Sequence, residues 1–243
     1  MTYETPIFGL YGACSTCGLS LSLGSMTIAG GFADHVICVT SSHFASAEKE
    51  FRFPLAYGNQ RPLSACWTVT GSAAFLLTDE KSSGIRAAIT GITTGKIVDY
   101  GIKDSMNMGA CMAPAAADTI FQHMKDFSVQ PEDYDKIVTG DLGSVGQTAL
   151  LDLLNQKGMD ISDRHMDCGI EIFNQNEQDT HAGGSGCGCS AVVLSSYLLK
   201  KLEEGVYKKI LFVPTGALLS KTSFNEGKTV PGIAHAVVIE KVS

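Results

Sequence analysis

The sequence lacks the features that mark membrane-spanning, exported or nucleic-acid-binding chains. No apolar run reaches the ~18–20 residues of a membrane-spanning helix, and no basic segment followed by an apolar one opens the chain. The 18 lysines and arginines are outnumbered by 25 aspartates and glutamates, so the net charge is −7. This excess of negative charge argues against nucleic acid as a direct partner. We therefore expect a soluble chain with no transmembrane segment and no export signal.

A disulfide framework and metal-ligand spacings are also missing. The eight cysteines are scattered among apolar and glycine-rich residues, which is typical of a chain that stays reduced. Cys187 and Cys189 lie one residue apart, but no second pair stands at ligand spacing, so burial as small apolar side chains is favoured. The histidines that stand alone are predicted to be structural or exposed: His35, His123, His165 and His235.

Small residues are what the sequence has in abundance. It contains 26 glycines, with 44% hydrophobic and 18% charged residues, which is typical of an α/β protein with tight turns. Its 243 residues can form one domain of two halves or two small domains. Periodicity predicts five strands after residue 30, at His35–Thr40, Thr68–Thr78, Ile85–Thr93, Lys136–Thr139 and Asp167–Ile172. It predicts two helices in the middle of the chain, at Ala113–Phe127 and Gln147–Gln156.

The stretch from Ile7 to Gly31 carries the strongest chemical signal. A predicted strand, Ile7–Leu10, enters a tight turn that ends at Cys14, and a helix of small residues follows over Ser15–Ala29. A turn that aims a side chain at a helix N-terminus is the geometry of a nucleophile elbow, here with sulfur. The same N-terminus favours anions and predicts a lowered pKa for the Cys14 thiol.

An internal repeat relates the two ends of the chain. At a constant offset of 174, the segment from Gly12 to Ser42 matches the segment from Gly186 to Gly216, each running from a Gly/Cys turn through a helix to an apolar strand. Further on, Gly71 matches Gly232 at an offset of 161. The repeat predicts a duplicated fold whose site lies where the two turns face each other. Chance similarity between two generic βα units is the alternative.

The second copy is preceded by two helices and two strands that the first copy lacks. We therefore predict an incomplete first half over residues 1–104, a second half over 105–243, and a five-layered αβαβα arrangement. The missing elements suggest a chain shortened at its N-terminus. They also predict apolar surface left exposed on the first half.

Four segments carry a family resemblance. They are IFGLYGACSTCGLSL, EFRFPLAYGNQRP with the WTVTGSAAFLL that follows it, YDKIVTGDLGSVG, and HAGGSGCGCSAVVLSSYLL. With the cysteine elbow and the duplication, they resemble the thiolase/ketoacyl-synthase superfamily and, within it, the stage V sporulation protein AD family. That family is the thiolase-like member of the spore dipicolinic acid transport machinery, and the resemblance covers essentially the whole chain.

The resemblance implies a site that has lost its usual chemistry. Condensing enzymes need a cysteine and two groups that stabilise the oxyanion and handle protons. Cys14 fills the first position, but Gly140 with Asp141 beside it, and Ser185, stand where the other two belong. His181 lies four residues before Ser185 and could swing in. A carboxylate at Asp141 would repel a developing oxyanion, so we expect no catalytic residue and a vestigial nucleophile position at Cys14.

The resemblance also implies a ligand, dipicolinic acid, which is a flat ring with two carboxylates. Backbone N–H groups around Cys14 and Ser15 could bind one carboxylate, and Arg52 or Arg61 the other. These arginines lie in the loop expected to overhang Cys14, although surface cations without a ligand are an equal alternative.

Two further features complete the predicted pocket. Gly183 and Gly184 could leave one wall bare for the ring of the ligand. Asp141 would repel a dianion unless a calcium ion or a proton lies between them. We therefore expect no cofactor, with calcium as a possible companion of dipicolinate.

Cys14 and Cys17 form a C-x-x-C at a helix start, the spacing of a redox pair, but packing of Cys17 in the core is favoured.

The hypothesis that follows from the resemblance is a non-catalytic sporulation protein that binds dipicolinic acid. It would act in dipicolinic acid movement into the developing spore and in its release at germination, associated peripherally with the spore inner membrane. The implied partners are membrane proteins of the stage V sporulation A operon, with a second copy of the chain as a further candidate. The alternative is an acyltransferase that acts on acyl thioesters through Cys14.

Overall fold

The computed structural model of the chain describes residues 4–46, 62–79 and 84–242. The helices of these ranges, in chain order, are α1 (Thr16–Ala29), α2 (Met108–Phe127), α3 (Gly143–Asn155), α4 (Cys168–Glu171), α5 (Cys187–Val193), α6 (Leu199–Glu203) and α7 (Lys221–Asn225). The strands are β1 (His35–Ser42), β2 (Trp67–Thr68), β3 (Gly71–Thr78), β4 (Ala87–Thr93), β5 (Lys136–Thr139), β6 (His165–Asp167), β7 (Gly184–Ser185), β8 (Lys209–Val213), β9 (Thr215–Ala217), β10 (Gly232–Ala234) and β11 (Ala236–Lys241). A π-helical segment, Leu194–Leu198, joins α5 to α6.

A five-stranded mixed sheet forms the centre, with strand order β4-β11-β8-β5-β6. β5 pairs in parallel with β6 and with β8, whereas β11 runs antiparallel to both of its neighbours. Successive side chains of these strands point to opposite faces, so Ile137 packs in one apolar core and Val138 in the other. This alternation divides the interior into two layers of buried side chains.

The layers follow from those two cores. One core lies between the sheet and helices α2 and α3, and the other lies between the sheet and helices α1, α5 and α6. Beyond that second helical layer, β1 and β3 pair as a two-stranded antiparallel sheet. The described residues thus form four layers in the order αβαβ, and the fifth, helical layer of the predicted αβαβα arrangement is not among them. The chain is an α/β protein, as predicted.

The two copies of the repeat have corresponding elements. α1 followed by β1 corresponds to α5–α6 followed by β8, and β1 pairs antiparallel with β3 as β8 does with β11. The turns that open the two helices face each other, because the Cys187 Sγ lies 3.1 Å from the Ala13 carbonyl oxygen. The predicted division after residue 104 stays a prediction. β4, which precedes that boundary, pairs with β11 of the second copy.

Three predicted strands differ from the structure. Thr68–Thr78 is divided into β2 and β3, which belong to different sheets. Ile7–Leu10 is not a strand: Ile7 and Phe8 are 90% and 84% exposed, and no strand of the described chain pairs with this segment. The strand predicted at Asp167–Ile172 is β6, which ends at Asp167 because its side chain accepts a hydrogen bond from the Gly169 N–H and caps helix α4. Helices α2 and α3 begin five and four residues earlier than predicted, at Met108 and Gly143.

Candidate functional site

The candidate site lies at the edge of the central sheet where three parallel strands end. Ligand sites of α/β proteins commonly lie outside the carboxyl ends of parallel strands. Gly140 and Asp141 follow β5, and Thr215 follows β8 after a single residue. The turn before α1 brings Cys14 to this edge, and β7 brings Ser185.

Asp141 is the centre of the hydrogen-bond network. Its side chain is buried, with 1% exposed, and one oxygen, Oδ1, accepts a hydrogen bond of 2.8 Å from the Thr215 hydroxyl. The other oxygen accepts hydrogen bonds from the Ser185 hydroxyl at 2.8 Å and from the Gly186 N–H at 3.2 Å. Burial raises the pKa of this carboxyl, although the hydrogen bonds act in the opposite direction. Asp141 therefore links the end of β5 to Ser185 in β7 and to Thr215 in β9.

Cys14 stands at the predicted elbow position. Ala13, just before it, has a φ of 49°, a left-handed backbone conformation that residues other than glycine adopt at a cost in free energy. The half-buried Cys14 Sγ lies 3.8 Å from the Ser185 hydroxyl. The sulfur, the Ser185 hydroxyl and the Asp141 carboxyl thus form a continuous polar row.

The predicted lowering of the Cys14 pKa is wrong. The pKa of this thiol is raised well above its usual value, first by its hydrogen bond with Cys187, then by burial and by the charge of Asp141. A helix N-terminus contributes at most about 2 kcal/mol, and a neighbouring carboxylate and desolvation oppose it. Cys14 is therefore held as the thiol rather than as the thiolate that a condensing enzyme uses.

Cys187 belongs to the site, which the sequence interpretation missed. It is half-buried at the start of α5, whereas Cys189 is fully buried with its Sγ 3.4 Å from the Gly140 carbonyl oxygen. The pKa of Cys187 is lowered, first by its hydrogen bond with Cys14, against the effect of burial. The internal repeat could have revealed Cys187, because the offset of 174 matches Cys14 to Gly188, the residue that follows Cys187.

Thr215 is the second residue that was missed. It follows the strand that matches β1, so the same repeat assigns it to the edge of the sheet, opposite Ser41. What the repeat could not supply is its hydrogen bond to the Asp141 carboxyl.

Ser15 lies beside Cys14 but points into the protein. It is fully buried, and both its N–H and its hydroxyl donate to the Gly12 carbonyl oxygen, at 3.0 and 2.6 Å. A ligand that used the Ser15 N–H would have to displace this turn.

Gly183 and Gly184 are buried as well. A side-chain carbon on Gly183 would lie 2.6 Å from the Gly169 carbonyl oxygen, and one on Gly184 would lie 2.8 Å from Ile172. Both glycines are needed because protein atoms pack against them, since Gly184 in β7 pairs with Trp67 in β2. The structure fills the predicted bare wall with its own side chains.

His181 is bound away from the elbow. Its Nδ1 lies 2.8 Å from the Pro62 carbonyl oxygen, and its Nε2 lies 3.1 Å from an Asp179 carboxylate oxygen. Arg52 and Arg61 lie outside the described residues. The structure thus brings together Cys14, Asp141 and Ser185 of the predicted site, and it leaves His181 on a different set of partners.

A second buried carboxyl supports the first. Asp167 accepts hydrogen bonds from the Thr139 hydroxyl at 2.6 Å and from the N–H groups of Leu142 and Gly143, so it fixes the turn that carries Asp141. Burial raises the pKa of Asp167 to about 6. Thr139 also contacts the His165 Nε2 at 2.9 Å, which makes His165 a structural residue, as predicted.

Other classes of site find no support in the described ranges 4–46, 62–79 and 84–242. There, no three His, Cys, Asp or Glu side chains are grouped so that they could hold a metal ion. Within the same ranges, no helix combines the length and the apolar character needed to cross a bilayer.

Solved structures of condensing enzymes and thiolases share this fold. FabH, the 3-oxoacyl-(acyl carrier protein) synthase III of Pseudomonas aeruginosa PAO1, superposes with a TM-score of 0.59 at 14% identity, over 96% of this chain and 67% of that one. Human mitochondrial 3-ketoacyl-CoA thiolase gives 0.59 at 13% identity, over 99% and 80%. Likenesses at this identity show a thiolase-like fold and nothing about activity.

Sequence comparison is more specific. The family profile of Stage V sporulation protein AD (SpoVAD) matches residues 1–240. A protein of Bacillus subtilis (strain 168) named Stage V sporulation protein AD is 45% identical over 238 residues, which is 98% of this chain and 69% of that protein. The chain that holds Cys14, Asp141 and Ser185 on a thiolase-like fold therefore belongs to the stage V sporulation protein AD family of sporulation proteins.

Proposed function

We propose that this chain binds dipicolinic acid at the candidate site beside Cys14 and does not transfer acyl groups. In this role it takes part in the movement of dipicolinic acid into the developing spore and in its release at germination. Family membership supports a role in sporulation. The buried Asp141 carboxyl beside Cys14 is the observation that carries the proposal.

Acyl transfer through Cys14 conflicts with that carboxyl. Attack on a thioester needs a thiolate and donors aimed at the oxyanion that develops. At this site Cys187, burial and Asp141 hold the pKa of Cys14 up. The hydroxyls of Ser185 and Thr215 and the Gly186 N–H already donate to Asp141. The nearest donors are thus engaged by a group whose negative charge would oppose the oxyanion.

A dianionic ligand can bind beside Asp141 if that carboxyl, which is ionised in the free protein, takes up a proton as the ligand binds. Burial raises the pKa of Asp141, which favours the protonated form, and a protonated carboxyl can donate to a ligand carboxylate. Calcium between the two is the alternative, because calcium prefers oxygen ligands from several carboxylates. Because Asp141 is 1% exposed, we favour the neutral carboxyl over a metal bridge.

Calorimetric titration with dipicolinate tests the proposal. We expect saturable binding by the parent chain. If Arg52 or Arg61 binds a ligand carboxylate, replacing that arginine by alanine removes a charge-assisted pair that contributes ~1.5–3 kcal/mol, about tenfold or more in affinity. Arg86→Ala is the matched control, because Arg86 is an exposed arginine just before β4. Equal affinity with and without calcium supports the neutral carboxyl. Absence of saturable binding in both conditions contradicts the proposal.

Incubation with acyl-CoA decides the alternative enzyme. Intact-mass measurement should find no stable acyl adduct on Cys14. An adduct present in the parent chain and absent from Cys14→Ala would establish acyl transfer instead.

The cellular setting completes the proposal. We place the protein in the forespore and spore, peripherally associated with the inner membrane. The partners we propose are the other stage V sporulation A-operon membrane proteins. Co-purification from spore membranes, reversed by high salt, is the expected behaviour, and recovery only from the mother-cell fraction would contradict this placement.

A further inference from the structure

Cys14 and Cys187 differ from the other cysteines of the chain. The remaining six, Cys17, Cys38, Cys66, Cys111, Cys168 and Cys189, are buried, whereas these two are half-buried. They come from opposite copies of the repeat and are 173 residues apart, yet the Cys187 Sγ lies against the residue next to Cys14. The exposed sulfur chemistry of the chain is therefore concentrated in one pair.

Their surroundings fix the sulfurs close together. The Cys187 Sγ lies 3.1 Å from the carbonyl oxygen of Ala13, the residue next to Cys14. The Cys14 Sγ lies 3.8 Å from the hydroxyl of Ser185, two residues before Cys187. Each sulfur thus lies against the chain segment that carries the other, as the two sides of a disulfide must.

We propose that Cys14 and Cys187 form a reversible disulfide that links the two copies of the repeat across the candidate site. The oxidant is a low-molecular-weight disulfide. This inference does not depend on what ligand the site binds.

The reaction balances as two thiol–disulfide exchanges. The Cys187 thiolate attacks one sulfur of the small disulfide, forms a mixed disulfide and releases the first small thiolate. Cys14 then loses its proton, attacks the Cys187 Sγ and expels the second small thiolate. Two protein thiols are oxidised and one small disulfide is reduced to two thiols.

The order of attack follows from the local charges. The Cys14 hydrogen bond lowers the pKa of Cys187, whereas the charge of Asp141 and burial raise that of Cys14. Cys187 is therefore the first nucleophile and Cys14 the resolving thiol. The C-x-x-C partner, Cys17, is unsuited to this role because it is fully buried and burial raises its pKa to about 12.

Oxidised glutathione is a suitable probe. The folded parent chain is incubated with it, and intact mass and non-reducing peptide maps are recorded. We expect loss of two hydrogens, a peptide that links Cys14 to Cys187, and full reversal by dithiothreitol. Cys14→Ser should stop with one glutathione on Cys187, and Cys17→Ala should form the same disulfide as the parent.

Several outcomes would overturn the inference. They are a parent chain that stays reduced, one that accumulates a stable glutathione adduct, and one that links Cys14 to Cys17. A Cys14→Ser chain that takes up no glutathione contradicts the order of attack. If Cys14→Ser does not fold by circular dichroism, the peptide map of the parent still decides the pairing.

Discussion

Asp141 illustrates how one buried residue sets the chemistry of the candidate site. Its charge is one of the causes that raise the pKa of Cys14, so Asp141→Asn should lower that pKa and speed the reaction of Cys14 with iodoacetamide at neutral pH. The amide also places donors against the Ser185 and Thr215 hydroxyls, which should cost ~1–3 kcal/mol of stability. Asp152→Asn, on an exposed position of α3, is the control and should change neither quantity. A labelling rate unchanged by Asp141→Asn would show that Asp141 does not act on the thiol.

His165 gives the protein a component of acid sensitivity. Burial lowers its pKa to about 4 from 6.5, so the unfolded chain binds more protons between these values. The stability from neutral His165 is complete above about pH 6.5 and is lost as the pH falls toward 4, by about 3 kcal/mol in total. Asp167, with a pKa raised to about 6, acts with the opposite sign, so the residue must be isolated by substitution.

Urea unfolding at several pH values isolates the contribution of His165. Relative to the parent, His165→Gln should flatten the loss of stability between pH 6.5 and 4. His35→Gln replaces an exposed histidine and should leave the profile unchanged. Parallel profiles for the parent and His165→Gln would contradict the assignment.

The C-terminus of α2 provides a prediction about a secondary-structure element. The helix ends at the exposed Ser128, whose φ of 54° and ψ of 41° are left-handed. Ser128→Gly should therefore stabilise the protein by ~0.5–1 kcal/mol in urea unfolding, because glycine adopts this conformation without steric cost. The same exchange at Ser25, inside α1, should destabilise instead. Loss of stability in Ser128→Gly would contradict the capping geometry.

Regular elements were predictable where periodicity and pairing agree. Lys136–Thr139 is a strand with the predicted bounds, because a short buried run flanked by glycine has a neighbour on each side. Ile7–Leu10 has the same apolar character, but a strand also needs a partner, and composition does not supply one. At Asp167 the predicted strand ends early, because its side chain caps the helix that begins at Cys168.

The exposed face of the β1–β3 sheet predicts that the protein associates with itself. On the solvent side of the β1–β3 pair, Ile37, Val39 and Leu76 are 67%, 56% and 63% exposed, and Ile37 lies directly opposite Leu76. Contiguous exposed apolar surface of this kind favours association. We expect concentration-dependent self-association in sedimentation velocity, weakened by Ile37→Thr with Val39→Thr. Val206→Thr, also an exposed valine, is the control, and equal association in both variants would exclude this face.

The candidate site was predictable as far as the repeat reaches. The offset of 174 predicted that the turns at Cys14 and Cys187 face each other, whereas Asp141 and Ser185 were assigned to the site from the family resemblance. The repeat could not predict side-chain contacts between distant segments, such as those of the His181 Nδ1 with the Pro62 carbonyl oxygen and of the Cys187 Sγ with the Ala13 carbonyl oxygen. Hydrophobic periodicity predicts which face of a helix or strand a residue lies on, whereas these contacts depend on how distant segments pack in the folded chain.

Dipicolinate titration of a chain with a blocked site tests the central claim most directly. Cys14→Trp places a large ring beside Ser185, where the ligand is proposed to bind, and Met26→Trp adds the same ring at an exposed position of α1. Calorimetry should give saturable binding for the parent and for Met26→Trp, and no binding for Cys14→Trp with its fold retained by circular dichroism. Parental affinity in a folded Cys14→Trp chain would show that dipicolinate does not bind beside Cys14.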